Sequence, residues 1–160
     1  GESCLRWWSN AAALAAPGAP VHLVGVAGPV ARALATWTQP AYARAELADR
    51  APLRMPPAVR VAGIDGHARS VDTLLASLRE AVPELDPLAV LGPVDTSQTP
   101  EIATSRALVR FDYAHGRAVA EALRAGVVAD ALRARKPRKD RGPKPRSTLR
   151  VRLDIPEPDL

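Results

Sequence analysis

The sequence predicts an α+β fold, and three features carry that reading. Residues 69–82 place Val71, Leu74, Leu75, Leu78 and Val82 at offsets 0, +3, +4, +7 and +11, the stripe of an amphipathic helix. Residues 149–155 alternate instead: Leu149, Val151, Leu153 and Ile155 on one face, Arg150, Arg152 and Asp154 on the other, which is the period of a strand. Met55-Pro56-Pro57 separates these patterns from a different one upstream, because consecutive prolines stiffen the chain and exclude helix. The elements after residue 58 run β-α-β-β-α-β, the split βαβ or ferredoxin-like order, with a mainly antiparallel sheet and two helices on one face.

The upstream part, residues 1–57, reads as mixed α/β. Residues 5–15 predict a helix with Trp8, Ala12 and Ala15 on one side, stopped by Pro17-Gly18-Ala19-Pro20. The apolar run Val21–Val26 predicts a strand, with His22 as a satisfied core histidine. Gly28-Pro29 opens a second helix, since proline suits the first helical position, and Val30, Leu34 and Trp37 form its apolar face. A third helix over 41–50 ends near Pro52.

Residues 58–160 form the second part. A strand over Val59–Ile64 stops at Asp65-Gly66, and the helix over 69–82 stops at Pro83. Leu88–Val94 predicts a short strand with Gly92-Pro93 near its end, residues 95–104 a loop, and Ala107–Asp112 the next strand. Residues 115–132 predict a helix with Val119, Leu123, Val127 and Val128 among its apolar positions. The strand over 149–155 closes the order.

Charge is concentrated rather than spread. Residues 133–146 hold Arg133, Arg135, Lys136, Arg138, Lys139, Arg141, Lys144 and Arg146 against Asp140, a net of +7. Of the 22 Lys and Arg and 17 Asp and Glu in the chain, that leaves 14 basic residues against 16 acidic ones. Pro137, Pro143 and Pro145 predict a loop there. Such a run either stays solvated or engages a polyanion, most commonly nucleic acid, through phosphate neutralisation and counterion release. Phe111 and Tyr113 are the only nearby aromatics that could stack a base, and the strand pattern makes Phe111 a core residue.

Nothing in the sequence points to catalysis. There is no phosphate-binding glycine loop followed by Lys and Ser or Thr, and no G-x-G-x-x-G. His22, His67 and His115 lack metal-ligand spacing, and His67 and His115 read as residues of exposed turns. Cys4 is the one cysteine, which excludes an internal disulfide and a cysteine-rich zinc site and suits a reducing cytoplasm. Glu46/Asp49 and Glu84/Asp86 read as exposed charges. No apolar run approaches the ~20 residues of a membrane span. The opening Gly1-Glu2-Ser3-Cys4 has no start Met and no targeting signature, and reads as a cut within a longer protein.

Several segments in order resemble the PriA-type primosomal protein N′ family of replication-restart proteins. Tyr42–Arg50 resembles its aromatic-Ala-x-x-Glu-Leu-x-x-Arg helix, and Arg54-Met55-Pro56-Pro57 its hydrophobic-Pro-Pro stop. Val90-Leu91-Gly92-Pro93-Val94 matches its VLGPV turn, Arg106–Asp112 its next strand, and Leu149–Ile155 followed by Pro156 its closing strand. The Ala- and Arg-rich style is similar to actinobacterial versions.

The resemblance implies that residues 1–57 are the end of a second helicase-like lobe and 58–160 the C-terminal DNA- and partner-binding domain. It implies forked and single-stranded DNA, the acidic tail of single-stranded DNA-binding protein and other primosome proteins as partners. The protein would be cytoplasmic and nucleoid-associated, not membrane-bound. It also matches Arg117 to a position used for tail capture. ATP and zinc would belong to the parent, with a motor that is degenerate in actinobacterial members, and this part would carry neither cofactor. Two alternatives stand beside this reading: the accessory end of an active ATP-dependent 3′–5′ DNA helicase, and an RNA-binding ferredoxin-like domain.

Overall fold

A computed structural model describes residues 1–99, 102–135 and 148–155. The chain divides into two compact units, Gly1–Leu53 and Arg54–Leu160.

The first unit is helical throughout its regular structure: α1 (Glu2–Ala12), α2 (Pro29–Ala35) and α3 (Gln39–Arg50). Leu5, Ala33 and Leu34 are buried, with Trp8, Val30 and Tyr42 packed around them. Gln39 Nε2 donates to Ser9 Oγ at 3.0 Å, tying α3 to α1. The strand expected over Val21–Val26 does not form; the segment is irregular and exposed. A strand needs a neighbour for its N–H and C=O groups, and the described residues of this unit contain no other strand. His22 is accordingly an exposed residue and not a core histidine. Trp37, expected on the apolar face of α2, lies just past that helix at φ 56 and is exposed. α1 ends before Ala15. Glu46, expected to be an exposed charge, is largely buried and accepts from Arg50. Burial, with Glu46 adjoining, raises the pKa of the Tyr42 phenol.

The second unit contains β1 (Arg60–His67), α4 (Ala68–Ala81), a 3-10 turn at Pro87–Ala89, β2 (Val90–Asp95) and β3 (Thr104–Phe111). A 3-10 turn at Tyr113–His115, α5 (Gly116–Arg135) and β4 (Arg150–Leu153) complete it. The strands form one sheet in the order β2-β3-β1-β4, and every neighbouring pair is antiparallel. One face of the sheet packs on α4 and α5: Ala62, Ile64, Ala107, Val109 and Phe111 meet the α4 stripe Val71, Leu74, Leu75 and Leu78, then Val119 and Leu123 of α5. The 3.6-residue stripe read from the sequence is thus the helix half of this core.

Local chemistry sets the strand limits. Asp86 Oδ1 accepts from the Leu88 N–H at 2.8 Å and caps the 3-10 turn, so β2 starts at Val90 instead of Leu88. β2 is irregular between Leu91 and Val94. Gly92 sits there at φ 90, where a Cβ would lie 2.9 Å from the Arg106 carbonyl oxygen; glycine alone meets both demands.

The closing strand departs from its expected pattern. Leu149 and Val151 face the helix-side core, as alternation requires. Asp154 then adopts φ 57 and breaks the alternation, and Ile155 joins Val59, Val61 and Leu108 on the opposite face. Arg60 holds this turn with two parallel bonds to Asp154, Nε to Oδ1 at 2.7 Å and a terminal nitrogen to Oδ2 at 2.6 Å. The guanidinium keeps the Asp154 carboxyl below its ordinary pKa. A depressed folded-state pKa stabilises the fold above the unfolded value of about 3.9 and loses that contribution as the pH falls through the folded value. The pair is solvent-screened, so Asp154→Asn is expected to cost only about 0.5–1 kcal/mol at pH 7. Denaturant titrations of both proteins should show the gap closing as the pH drops below about 4; a constant gap would assign the loss to the turn instead of the charge.

Candidate nucleic-acid interface

The predicted basic residues occupy different places. Arg133 and Arg135 belong to the last turn of α5, so the helix extends into the stretch read as a loop. Lys136, Arg138, Lys139, Arg141, Lys144 and Arg146 lie outside the described residues. Arg133 reaches Asp130 at 3.6 Å; Asp130 is buried and also accepts from Ser70 Oγ at 2.8 Å. Cations at a helix C-terminus also complement its dipole, which gives Arg133 and Arg135 a structural role of their own.

Arg117 stands at the opposite end of α5. Sixteen residues of helix separate it from Arg133, roughly 24 Å at 1.5 Å per residue, so the two do not share a site. Its side chain is 89% exposed and donates from Nε to Glu121 Oε1 at 2.8 Å, which raises its pKa.

The sheet face turned away from the helices brings together residues that are far apart in sequence. β3 contributes Arg106 and Arg110, β4 contributes Arg150 and Arg152, and β1 supplies one acid, Asp65. Asp65 pairs in register with Arg106 on one side and Arg150 on the other, and Gly63 pairs with Leu108 and Arg152. Asp65 Oδ1 accepts from Arg106 Nε at 2.5 Å, and Oδ2 meets Arg152 at 3.4 Å. Arg110 donates to the Leu88 carbonyl at 3.0 Å. Val61 and Leu108 are buried on this face and Arg106 and Arg110 half-buried, whereas Arg152 is 63% exposed and Arg150 is exposed as well. Among the described residues of this face, four guanidiniums stand against one carboxylate, a local excess of three positive charges.

The polar half of the β4 alternation is the sequence signal for part of this face. What a linear reading lacks is the adjacency of β4 and β3 on either side of β1. Phe111 is fully buried, as expected, and Tyr113 is exposed. Among the described residues, no group of His, Cys, Asp or Glu is placed to hold a metal ion, and no helix is long and apolar enough to cross a membrane.

Residues 51–158 match the model of the primosomal protein N C-terminal domain. The chain belongs to that family. Its relatives include the probable replication restart protein PriA of Mycobacterium tuberculosis (strain H37Rv), 33% identical over 96% of this chain, and that of Mycobacterium leprae (strain TN), 36% identical over 79%. The chain spans between a fifth and a quarter of their length, 24% and 20% respectively. No solved structure matches it. The Val90–Val94 segment, which resembles the family's VLGPV turn, lies in β2 at Gly92, and the resembling closing strand is β4, which carries Arg150 and Arg152.

Proposed function

We propose that this chain is the C-terminal part of a replication-restart protein and binds forked and single-stranded DNA. The observation that carries the reading is the gathering of Arg106, Arg110, Arg150 and Arg152 on one sheet face, in a chain whose net +7 run at 133–146 leads toward the strand bearing two of them. A surface of that sign attracts phosphate and releases counterions. The strand order and antiparallel neighbours are those of a split βαβ, ferredoxin-like sheet, which supports that finer assignment.

Single-stranded DNA-binding protein is the proposed protein partner. Its acidic tail would meet Arg117, whose exposed guanidinium already donates to a neighbouring carboxylate, that of Glu121. Other primosome proteins and a cytoplasmic, nucleoid-associated setting follow from the same role. ATP and zinc are assigned to the rest of the parent protein.

The test is anisotropy of labelled forked DNA at about 50 and 200 mM salt. Replacing Lys136, Arg138, Lys139 and Arg141 together by Ala is expected to weaken binding at the lower salt. The slope of log affinity against log salt should become shallower by up to about 0.9 for each phosphate no longer neutralised. Unchanged affinity would remove these four residues from the interface, and absence of DNA binding by the intact chain would overturn the function.

A further inference from the structure

At the far end of the arginine face lies a groove of about 480 Å³ that the proposed function does not use. Its walls are apolar: Pro57, Val59, Val61 and Ile155, with the Tyr113 ring beside them and the Arg60–Asp154 pair at the rim. Tyr113 is 64% exposed, yet its hydroxyl donates to the Pro57 carbonyl at 3.0 Å. That bond pins the ring. An exposed aromatic held in one place beside an apolar slot is a preorganised platform for a flat apolar face with polar edges.

We propose that the open sheet face is a seat for single-stranded DNA, with backbone phosphates on Arg150 and Arg152 and one unpaired base in the groove beside Tyr113. The proposal rests on the DNA-binding reading above and names the site. Arg150 and Arg152 are two residues apart on the same side of an edge strand, about 6.8 Å, close to the spacing of successive phosphates in an extended strand. Both contribute to the positive field completed by Arg106 and Arg110. From the Asp65 row to the groove is about six residues of β1, roughly 20 Å, room for a few nucleotides. Charge complementarity selects a polyanion, and the groove selects among polyanions. A duplex keeps its bases stacked inside and can offer the face only phosphates; a single strand can offer a base as well. With a π-platform and no ring of directed donors, the seat reads an unpaired base without reading its identity.

The experiment uses the full 160-residue chain and five probes: a short oligothymidylate, the same strand made abasic, a duplex of equal length, an oligouridylate and a polyglutamate peptide. Arg150→Ala with Arg152→Ala is expected to weaken oligothymidylate about tenfold at about 50 mM salt and to flatten its salt slope by about 1.4, two phosphates at about 0.7 each. Tyr113→Ala should weaken oligothymidylate by about fivefold or more, the scale of one base stacked on an aromatic ring, and leave the abasic strand and the duplex unchanged. Tyr113→Phe keeps the ring but loses the bond that pins it, and should fall between the wild type and Tyr113→Ala on oligothymidylate while leaving the abasic strand and the duplex unchanged. All three variants lie on exposed positions, and circular dichroism checks that they fold. Wild-type affinity and slope in the arginine double variant would overturn the face; if forks still bind through residues 133–146, the proposed function survives that failure. Equal losses on base-bearing and abasic strands would overturn the base seat. Tighter binding of oligouridylate, or of a polyglutamate peptide, would overturn the DNA assignment. A chain that binds none of the DNA probes sinks the site and the function together.

Discussion

Phe111→Ala is expected to cost the second unit about 3–5 kcal/mol, a large part of the total stability of about 5–15 kcal/mol available to a domain. Phe111 is the chain's one phenylalanine and is fully buried. It ends β3 opposite Arg60 and belongs to the cluster that joins the sheet to α4 and α5. Its backbone is held by pairing with β1, so the site cannot collapse around a smaller side chain, and the cavity term adds to the lost transfer energy. The Arg60 guanidinium lies 5.5 Å from the ring centroid and would lose its aromatic neighbour as well. Because Arg60 also clamps Asp154, the truncation should loosen the turn that carries Ile155 across the sheet. Urea unfolding followed by circular dichroism should show the midpoint falling by about 1.5 M or more with the slope unchanged. The exposed Trp37→Ala provides a control within about 0.5 kcal/mol. A loss for Phe111→Ala below about 1 kcal/mol would mean that the ring is not the keystone its burial implies.

Where the fold is legible in the sequence, a periodicity is long enough to be unambiguous. The five apolar positions from Val71 to Val82 repeat over three turns, and all five are buried. Val21–Val26 shows the opposite case. Its composition suits a strand, but strand formation is decided by a partner elsewhere in the chain, and the first unit offers none among its described residues. Ile155 departs from its expected face for a still more local reason: alternation holds only as far as Asp154, whose left-handed backbone reverses the side. Asp tolerates that conformation better than most residues, so the irregularity has no strong sequence signal.

The candidate site is legible only in its linear part. A run of eight basic residues is visible without a structure, whereas Arg106 and Arg152 are 46 positions apart and meet through the same carboxylate, Asp65. Such a site is created by sheet order. It can be found by laying β3 and β4 on either side of β1, the strand order that a split βαβ arrangement implies. Arg117 and the end of α5 illustrate the reverse case. Both belong to one helix of one domain and suggest a shared binding role, but a helix of 20 residues keeps its ends far apart.

The same dependence of site on sheet predicts that Gly66→Val removes stability and nucleic-acid affinity together. Gly66 of β1 pairs with Ser105 of β3, and a Cβ on it would lie 2.9 Å from the Leu149 Cα and 3.2 Å from its nitrogen. The obstruction is backbone, which cannot turn aside as a side-chain tip can. The segment leading into β4 must therefore move. β4 pairs with β1 only from Ala62 to Asp65, so there is little ladder to resist the displacement. Moving it withdraws Leu149 from the core and takes Arg150 and Arg152 away from Asp65. Overpacking and the exposed leucine together should cost about 2–4 kcal/mol. Hydrogen exchange should show the amides of Arg150–Leu153 losing protection before those of β3, since β3 retains β2 as a second neighbour. Affinity for oligothymidylate should fall at least as far as in the Arg150→Ala, Arg152→Ala protein, although every arginine remains in the chain. Wild-type affinity in a protein whose β4 amides exchange freely would separate the two, and would show that phosphate is held somewhere other than the edge strand.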